Sequence, residues 1–247
     1  MMRTANPALN SRTFQDVGTV SAVDAMTING TVNKTAVMLL LLIAGAAYTW
    51  SLFMEGNAES LSSWMLIGII GGLIVAFVTV FKKTWAPVTA PLYAVLEGFA
   101  LGGISAMLEA LYPNIVIQAV ALTFGTAGSL LLAYKSGVIK ATENFKLGVF
   151  AATGGIALIY LVGWILSFFG TTIPYIHENG LIGIGFSLVV VIIAALNLVL
   201  DFDFIEKGAE SGAPKFMEWY AAFGLMVTLI WLYIEILRLL SKLNSRK

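Results

Sequence analysis

Seven long apolar runs dominate the hydrophobic pattern of the chain. They cover residues 35–54, 62–81, 88–108, 114–134, 147–169, 180–200 and 217–240. A helix needs about 20 mainly apolar residues to cross the roughly 30 Å hydrocarbon core of a bilayer. Each run is long enough, and the strict apolar–polar alternation of a membrane β-barrel is absent. The pattern therefore predicts an all-α integral membrane protein, a bundle of seven transmembrane helices.

The segments that flank these runs predict a simple organisation around one membrane domain. Residues 1–33 are polar and contain no long apolar run, which predicts a cytoplasmic N-terminal tail rather than a secretory signal peptide. The seven-helix domain is predicted over residues 34–243, and residues 244–247 form a short basic tail. No long insertion suggests a second domain, and no internal repeat is evident.

Composition narrows the function classes. The chain is 59% hydrophobic and 11% charged, whereas soluble domains have about a quarter of their residues charged. Lys and Arg number 14, as do Asp and Glu, so the formal net charge is zero and the basic excess of a nucleic-acid-binding protein is missing. With no cysteine and one histidine, disulfides, cysteine zinc sites and multi-histidine sites are excluded. No hydrolase or ATPase motif is present, so we expect neither an enzyme nor a resident cofactor.

Basic residues predict the orientation of the chain. With the N-terminus inside, ten of the 14 Lys and Arg residues fall on the cytoplasmic side, as the positive-inside rule favours. The remaining four stand at the end of the last run and would lie outside: Arg238, Lys242, Arg246 and Lys247. Either these residues are translocated or the sixth or seventh segment does not cross fully, and a six-helix core with a re-entrant last segment remains open.

Three carboxylates in or at the edge of the apolar runs are the first functional candidates, because an ionised side chain inside a bilayer is costly. Glu97 stands near the centre of the third run. Asp201 and Asp203 close the sixth run and, two residues apart on a helix, project in nearly opposite directions. One of the two can therefore face the bundle while the other faces water. We favour a functional role for Asp201, whereas Asp203 is more simply explained as a marker of the membrane boundary.

A second group of polar residues has weaker functional signals. Glu235 and Arg238 are three residues apart in the seventh run and can pair on one helix face. His177, beside Glu178, is most simply a solvated loop residue rather than a pH sensor. The remaining candidates, as helix-packing or latch partners, are Gln118, Thr123, Asn197, Thr228 and Arg238.

Four motifs, taken in order, resemble the Bax inhibitor-1 family, and most closely its bacterial, YccA-like branch. They are YAVLEGFALGGIS with Glu97, QAVALTFGTAG from Gln118, LDFDFI with Asp201 at the end of the sixth run, and LYIEILRLL near the C-terminus. The resemblance covers residues 30–243, nearly the whole chain.

The resemblance implies a seven-helix fold with a central last helix, and a protein of the bacterial inner membrane with a cytoplasmic N-terminus. It also implies a pH-sensitive calcium leak, in which two aspartates on the last two helices share a proton. Asp201 matches the first aspartate and Glu97 the acidic residue of an early helix, but Thr228 stands where the second aspartate would be. Asp203 or Glu235 could then supply the second carboxylate.

Three functions follow as hypotheses. The leading one is a proton-modulated cation leak, in which Glu97 and Asp201 make weak contacts to Ca²⁺, an ion that prefers oxygen ligands. The second is a regulatory protein that binds a membrane-bound ATP-dependent protease, as the bacterial branch suggests. Residues 1–33 would be the segment that contacts the protease. The third is a secondary transporter, which would be expected to show broken helices and an internal repeat.

Overall fold

The computed structural model describes residues 24–171 and 180–246. In that part of the chain, seven helices are long and apolar enough to cross a membrane. They are α1 (Ile28–Met54), α2 (Ala58–Phe81), α3 (Ala86–Leu111), α4 (Ile115–Lys135), α5 (Glu143–Ser167), α6 (Leu181–Glu210) and α7 (Met217–Asn244). A short 3₁₀ turn, Lys83–Trp85, leads into α3. The prediction of a seven-helix, all-α membrane protein is confirmed.

Polar side chains set the start of several helices. Thr27 accepts a hydrogen bond from the backbone N–H of Gly30, and Thr142 accepts one from Phe145, so each satisfies a donor that the first turn would leave open. Because of this cap, α1 begins at Ile28, inside the stretch predicted as a polar tail. Residues 1–23 of that tail, and His177 with Glu178, lie outside the described residues.

The chain divides into two compact units. The N-terminal unit contains residues 24–113 and 203–227 of the described chain, and therefore α1, α2 and α3 with the end of α6 and the start of α7. The C-terminal unit contains the described residues of 114–202 and 228–246, and therefore α4, α5 and the remaining parts of α6 and α7.

In the N-terminal unit, α3 packs closely against both α1 and α2 through glycines. A Cβ atom at Gly98 would collide with the carbonyl oxygen of Leu42, and one at Gly102 with that of Ala46. A Cβ atom at Gly68 of α2 would meet the backbone of α3 in the same way. Small residues let helix backbones approach closely. Such close packing drives helix association in a bilayer, where the hydrophobic effect between helices is absent.

In the C-terminal unit, α5 and α6 pack side by side and antiparallel. Val149 and Leu200 form a buried apolar cluster, against which Phe145 and Leu196 pack. One turn further along α5, the side-chain amide of Asn197 donates a hydrogen bond to the Thr153 hydroxyl over 2.9 Å. The same amide also donates to the carbonyl oxygen of Ile193, so the polar group is satisfied within the apolar contact.

The last helix, α7, is continuous over 28 residues. At 1.5 Å per residue its length is about 42 Å, more than the roughly 30 Å hydrocarbon core requires. In its most apolar stretch 56% of the residues are buried, against 11–44% in the other six helices described. A re-entrant segment would have to turn back within the bilayer, so an unbroken helix of this length favours a full crossing.

We predict that all seven helices cross fully, which would place the two ends of the helical domain on opposite sides of the membrane. Because the chain has no cysteine, single cysteines report the side directly. In sealed vesicles of known orientation, we expect an impermeant maleimide to label Ser245→Cys and Ser136→Cys, in the α4–α5 connection, from opposite faces. Labelling of both from one face would show that α7 does not cross.

Close packing at Gly102 predicts a stability effect. Gly102→Ala should lower stability by about 1–3 kcal/mol, because an added methyl group forces α1 and α3 apart. The measurement is the midpoint of thermal unfolding in detergent. Gly128→Ala is the matched control, since a Cβ atom there meets nothing within 4 Å, and equal losses in both variants would contradict the packing argument.

Candidate functional site

Asp201 is the most enclosed of the acids that the sequence singled out. It lies on α6 within the C-terminal unit and has no exposed surface. The three residues before it, Leu198, Val199 and Leu200, are at most 1% exposed. A carboxyl group in such surroundings is costly to ionise unless polar groups of the protein compensate it. A change in the charge of Asp201 is therefore expected to change the stability of the packing around it.

Asp203, two residues further along α6, lies in the N-terminal unit and is 7% exposed. Its carboxylate accepts a hydrogen bond from the Lys207 ammonium over 2.7 Å, one helical turn away. The half-exposed lysine gives Asp203 a partner on its own helix, as expected for an acid near a membrane boundary.

Glu235, Arg238 and Tyr160 form a closed polar triangle in the C-terminal unit. The Arg238 guanidinium donates to both carboxylate oxygens of Glu235, at 2.9 and 3.1 Å. It also donates to the Tyr160 hydroxyl at 2.7 Å, while that hydroxyl donates to Glu235 at 2.9 Å. The guanidinium also lies over the Tyr160 ring, 5.2 Å from its centre. The triangle joins α5 to α7 and neutralises Glu235, which is 1% exposed.

Lys242 lies one turn further along α7 than Arg238 and forms, with Glu235 and Arg238, a polar stripe on this helix. Although it is a lysine, it is only 5% exposed, and its ammonium donates to the Gly183 carbonyl oxygen and the Ser187 hydroxyl, each at 3.0 Å. The sequence analysis placed Lys242 with the free basic residues beyond the last span. The spacing of Glu235, Arg238 and Lys242 at i, i+3 and i+7 is the sequence signal that would have found this inward-facing stripe.

Glu97 lies on α3 in the N-terminal unit and is half-buried. Its carboxyl group rests against Gly72 of α2, where an added Cβ atom would be 2.9 Å from the Oε1 atom. The hydroxyl of buried Tyr93, one turn earlier on α3, donates a hydrogen bond to it. The missing side chain at Gly72 therefore makes room for an acid between two helices.

The uncharged candidates differ in burial. Asn197 and Thr228 are 2% and 3% exposed, and Asn197 makes the α5 contact described above. Thr123 is buried and donates to the carbonyl oxygen of Ala119 at 2.7 Å, within its own helix. Gln118 is exposed.

Glu218 is a buried acid that the sequence analysis missed. It is the second residue of α7 and has no exposed surface. Its Oε1 atom accepts hydrogen bonds from the backbone N–H and the hydroxyl of Thr27, both at 3.0 Å, and its Oε2 atom lies 2.6 Å from the Lys34 ammonium. An acid in the first turn of a helix is usually solvated, so nothing in the local sequence marks its burial.

The described acidic residues do not form a cluster that could hold a metal ion. Within residues 24–171 and 180–246, no three His, Asp or Glu side chains cluster so that they could hold a metal ion.

The polar triangle predicts a stability loss on removal of one hydroxyl. Tyr160→Phe should cost about 1.5–3 kcal/mol, because Glu235 and Arg238 each lose a charge-assisted hydrogen bond while the ring is kept. Thermal unfolding in detergent measures the loss as a fall in midpoint of several degrees. Tyr48→Phe, at a half-exposed ring packed against Trp64, is the control and should change little.

One comparison with known proteins identifies the family of the chain. The family model described as Bax inhibitor 1 like matches residues 6–245, nearly the full length. No curated protein and no solved structure matches the chain. The match covers all seven helices and every candidate acid described above. The chain is a multi-pass membrane protein that belongs to the Bax inhibitor 1-like family.

Proposed function

We propose that the protein mediates a slow leak of calcium across its membrane, controlled by the protonation of buried carboxylates. The bacterial inner membrane, with a cytoplasmic N-terminus, is the location that we propose with it. A leak needs no resident cofactor, and calcium is here the transported ion.

The observation that carries the proposal is the complete burial of Asp201 in an apolar stretch of α6. When ionised, a carboxylate in such surroundings attracts a divalent cation strongly, since the local dielectric constant is low. When protonated, it has no charge to offer. Gain or loss of one proton at Asp201 thus changes both the affinity of the path for Ca²⁺ and the packing of the helix that carries it.

Glu97 is proposed as a second contact along the path. Its position in a gap left by Gly72, with a hydrogen bond from Tyr93, keeps an acid within the membrane without exposing it fully. Glu235 is a weaker candidate for this role, because Arg238 already neutralises it.

Calcium flux in liposomes tests the proposal. Wild-type protein reconstituted with an enclosed calcium dye should pass Ca²⁺ at a rate that depends on pH. Asp201→Asn should lower the rate several-fold and remove most of its pH dependence, because an amide neither ionises nor binds Ca²⁺ as a carboxylate does. Glu97→Gln should lower the rate with a smaller effect on the pH dependence.

Glu210→Gln provides the matched control, because it removes an exposed carboxylate from the same helix. It should leave flux and pH response as in the wild type. Flux and pH dependence that survive in both Asp201→Asn and Glu97→Gln would show that these acids are not the sites. An absence of flux in wild type and variants alike would refute the leak itself.

A second function that we propose is regulation of a membrane-bound ATP-dependent protease, and its support comes from the residues that follow the N-terminal tail in sequence. Residues 24–26 pair with the short connection between α6 and α7. Deletion of residues 1–23 should abolish any effect of the protein on degradation of a model substrate by that protease, yet preserve calcium flux. An unchanged protease effect after the deletion would contradict a role for the tail.

A further inference from the structure

Residues just before α1 are bound to the turn that joins α6 and α7. The backbone N–H of Met26 donates to the carbonyl oxygen of Ala213 at 2.6 Å, and the N–H of Lys215 donates to that of Asp24 at 2.9 Å. Ala25 and Pro214 form an antiparallel bridge between these two bonds. We call this contact, together with the Thr27–Glu218 and Lys34–Glu218 contacts, the N-terminal clamp; all of it lies within the N-terminal unit.

Glu218 is the polar centre of the clamp. Its carboxylate accepts two hydrogen bonds from Thr27 and pairs with Lys34, so it sits at the start of α1, where the helix dipole favours a negative charge. The Lys34 ammonium also lies 5.8 Å from the centre of the Trp219 ring. One buried carboxylate therefore ties the first turn of α1 to the first turn of α7.

Gly30 makes this approach possible. A Cβ atom at Gly30 would overlap the Glu218 carboxylate, so no other residue leaves room for the acid at this place. The clamp thus depends on a glycine in the first turn of α1, a lysine one turn later, and a glutamate that is distant in the chain, at the start of α7.

We propose that the N-terminal clamp is a regulatory contact that holds the α6–α7 turn closed and thereby restrains the calcium leak, an inference that rests on the proposed function. The turn is short, residues 211–216, and it joins the helix that carries Asp201 to the helix that carries Glu235. The segment that joins these two helices is thus bound on one side to Asp24–Met26.

The clamp also explains how the N-terminal tail would act on the path. Residues 1–23 continue directly into Asp24, so a partner that pulls on the tail pulls on the backbone bonds to Ala213 and Lys215. The polar contacts of the clamp are backbone hydrogen bonds and one ion pair, together with the hydrogen bonds from Thr27 to Glu218.

Gly30→Ala tests the clamp without a change of charge, because the added methyl group displaces the Glu218 carboxylate. Lys34→Met tests it by removal of the cation. A cysteine at Ala213, which is 2% exposed in the closed clamp, reports opening in a chain that has no other cysteine. In both variants we expect maleimide to react with Ala213→Cys several-fold faster and the liposomes to leak calcium several-fold faster than with the Ala213→Cys parent.

The control is Gly154→Ala, at an α5 glycine where a Cβ atom meets nothing within 4 Å; both rates should stay as in the parent. Unchanged reactivity at Ala213→Cys in the clamp variants would overturn the proposal, because the contact would not hold the turn. Faster labelling with unchanged flux in a protein that does conduct would overturn the regulatory role alone. No flux in any variant, despite faster labelling, would refute the proposed leak and with it the regulation.

Discussion

The cost of placing charge where water cannot reach it governs this protein. In hydrocarbon, a charged side chain must find its compensating groups within the protein, or it does not stay charged. Glu218 meets this requirement through Thr27 and Lys34, and Glu235 meets it through Arg238 and Tyr160. Glu218 finds its partners at the start of α1, and Glu235 is neutralised on its own helix and also bound by Tyr160 of α5, so each set of contacts joins two helices.

Lys242 shows the same constraint for a cation. Its ammonium is held by a backbone carbonyl and a hydroxyl at the start of α6, which fixes the end of α7 beside that start. Two of the four basic residues that seemed to contradict the positive-inside rule, Arg238 and Lys242, are therefore engaged inside the protein. They weigh less against translocation than free loop lysines would, and a full crossing by α7 becomes easier to reconcile with the charge pattern.

Glycines have two roles in the packing of the N-terminal unit. In the N-terminal unit, Gly68, Gly98 and Gly102 bring helix backbones together, while Gly30 and Gly72 leave room for the carboxyl groups of Glu218 and Glu97. A glycine beside an acid thus has a different purpose from a glycine beside a backbone. The N-terminal clamp depends on an acid of this kind, Glu218, and the proposed leak uses another, Glu97, as its second contact.

The length of the apolar runs was sufficient to predict the number, order and approximate limits of the helices, because the thickness of the bilayer imposes their length. Helix ends were less well predicted: the apolar run began at residue 35, whereas the Thr27 cap starts α1 at Ile28. The capping residue is local, but its effect is hard to recognise within a polar segment.

Whether a buried polar residue could be predicted depends on how far away its partner lies in the chain. Glu235 and Arg238 were predictable as a pair because they are three residues apart on one helix, and Asp201 stood out because apolar residues surround it in sequence. Tyr160 and Glu218 could not be found in this way, since their partners are 75 and 191 residues away in the chain. Local sequence records what a helix can bury, whereas the identity of the group that compensates a buried charge depends on which distant helix packs against it.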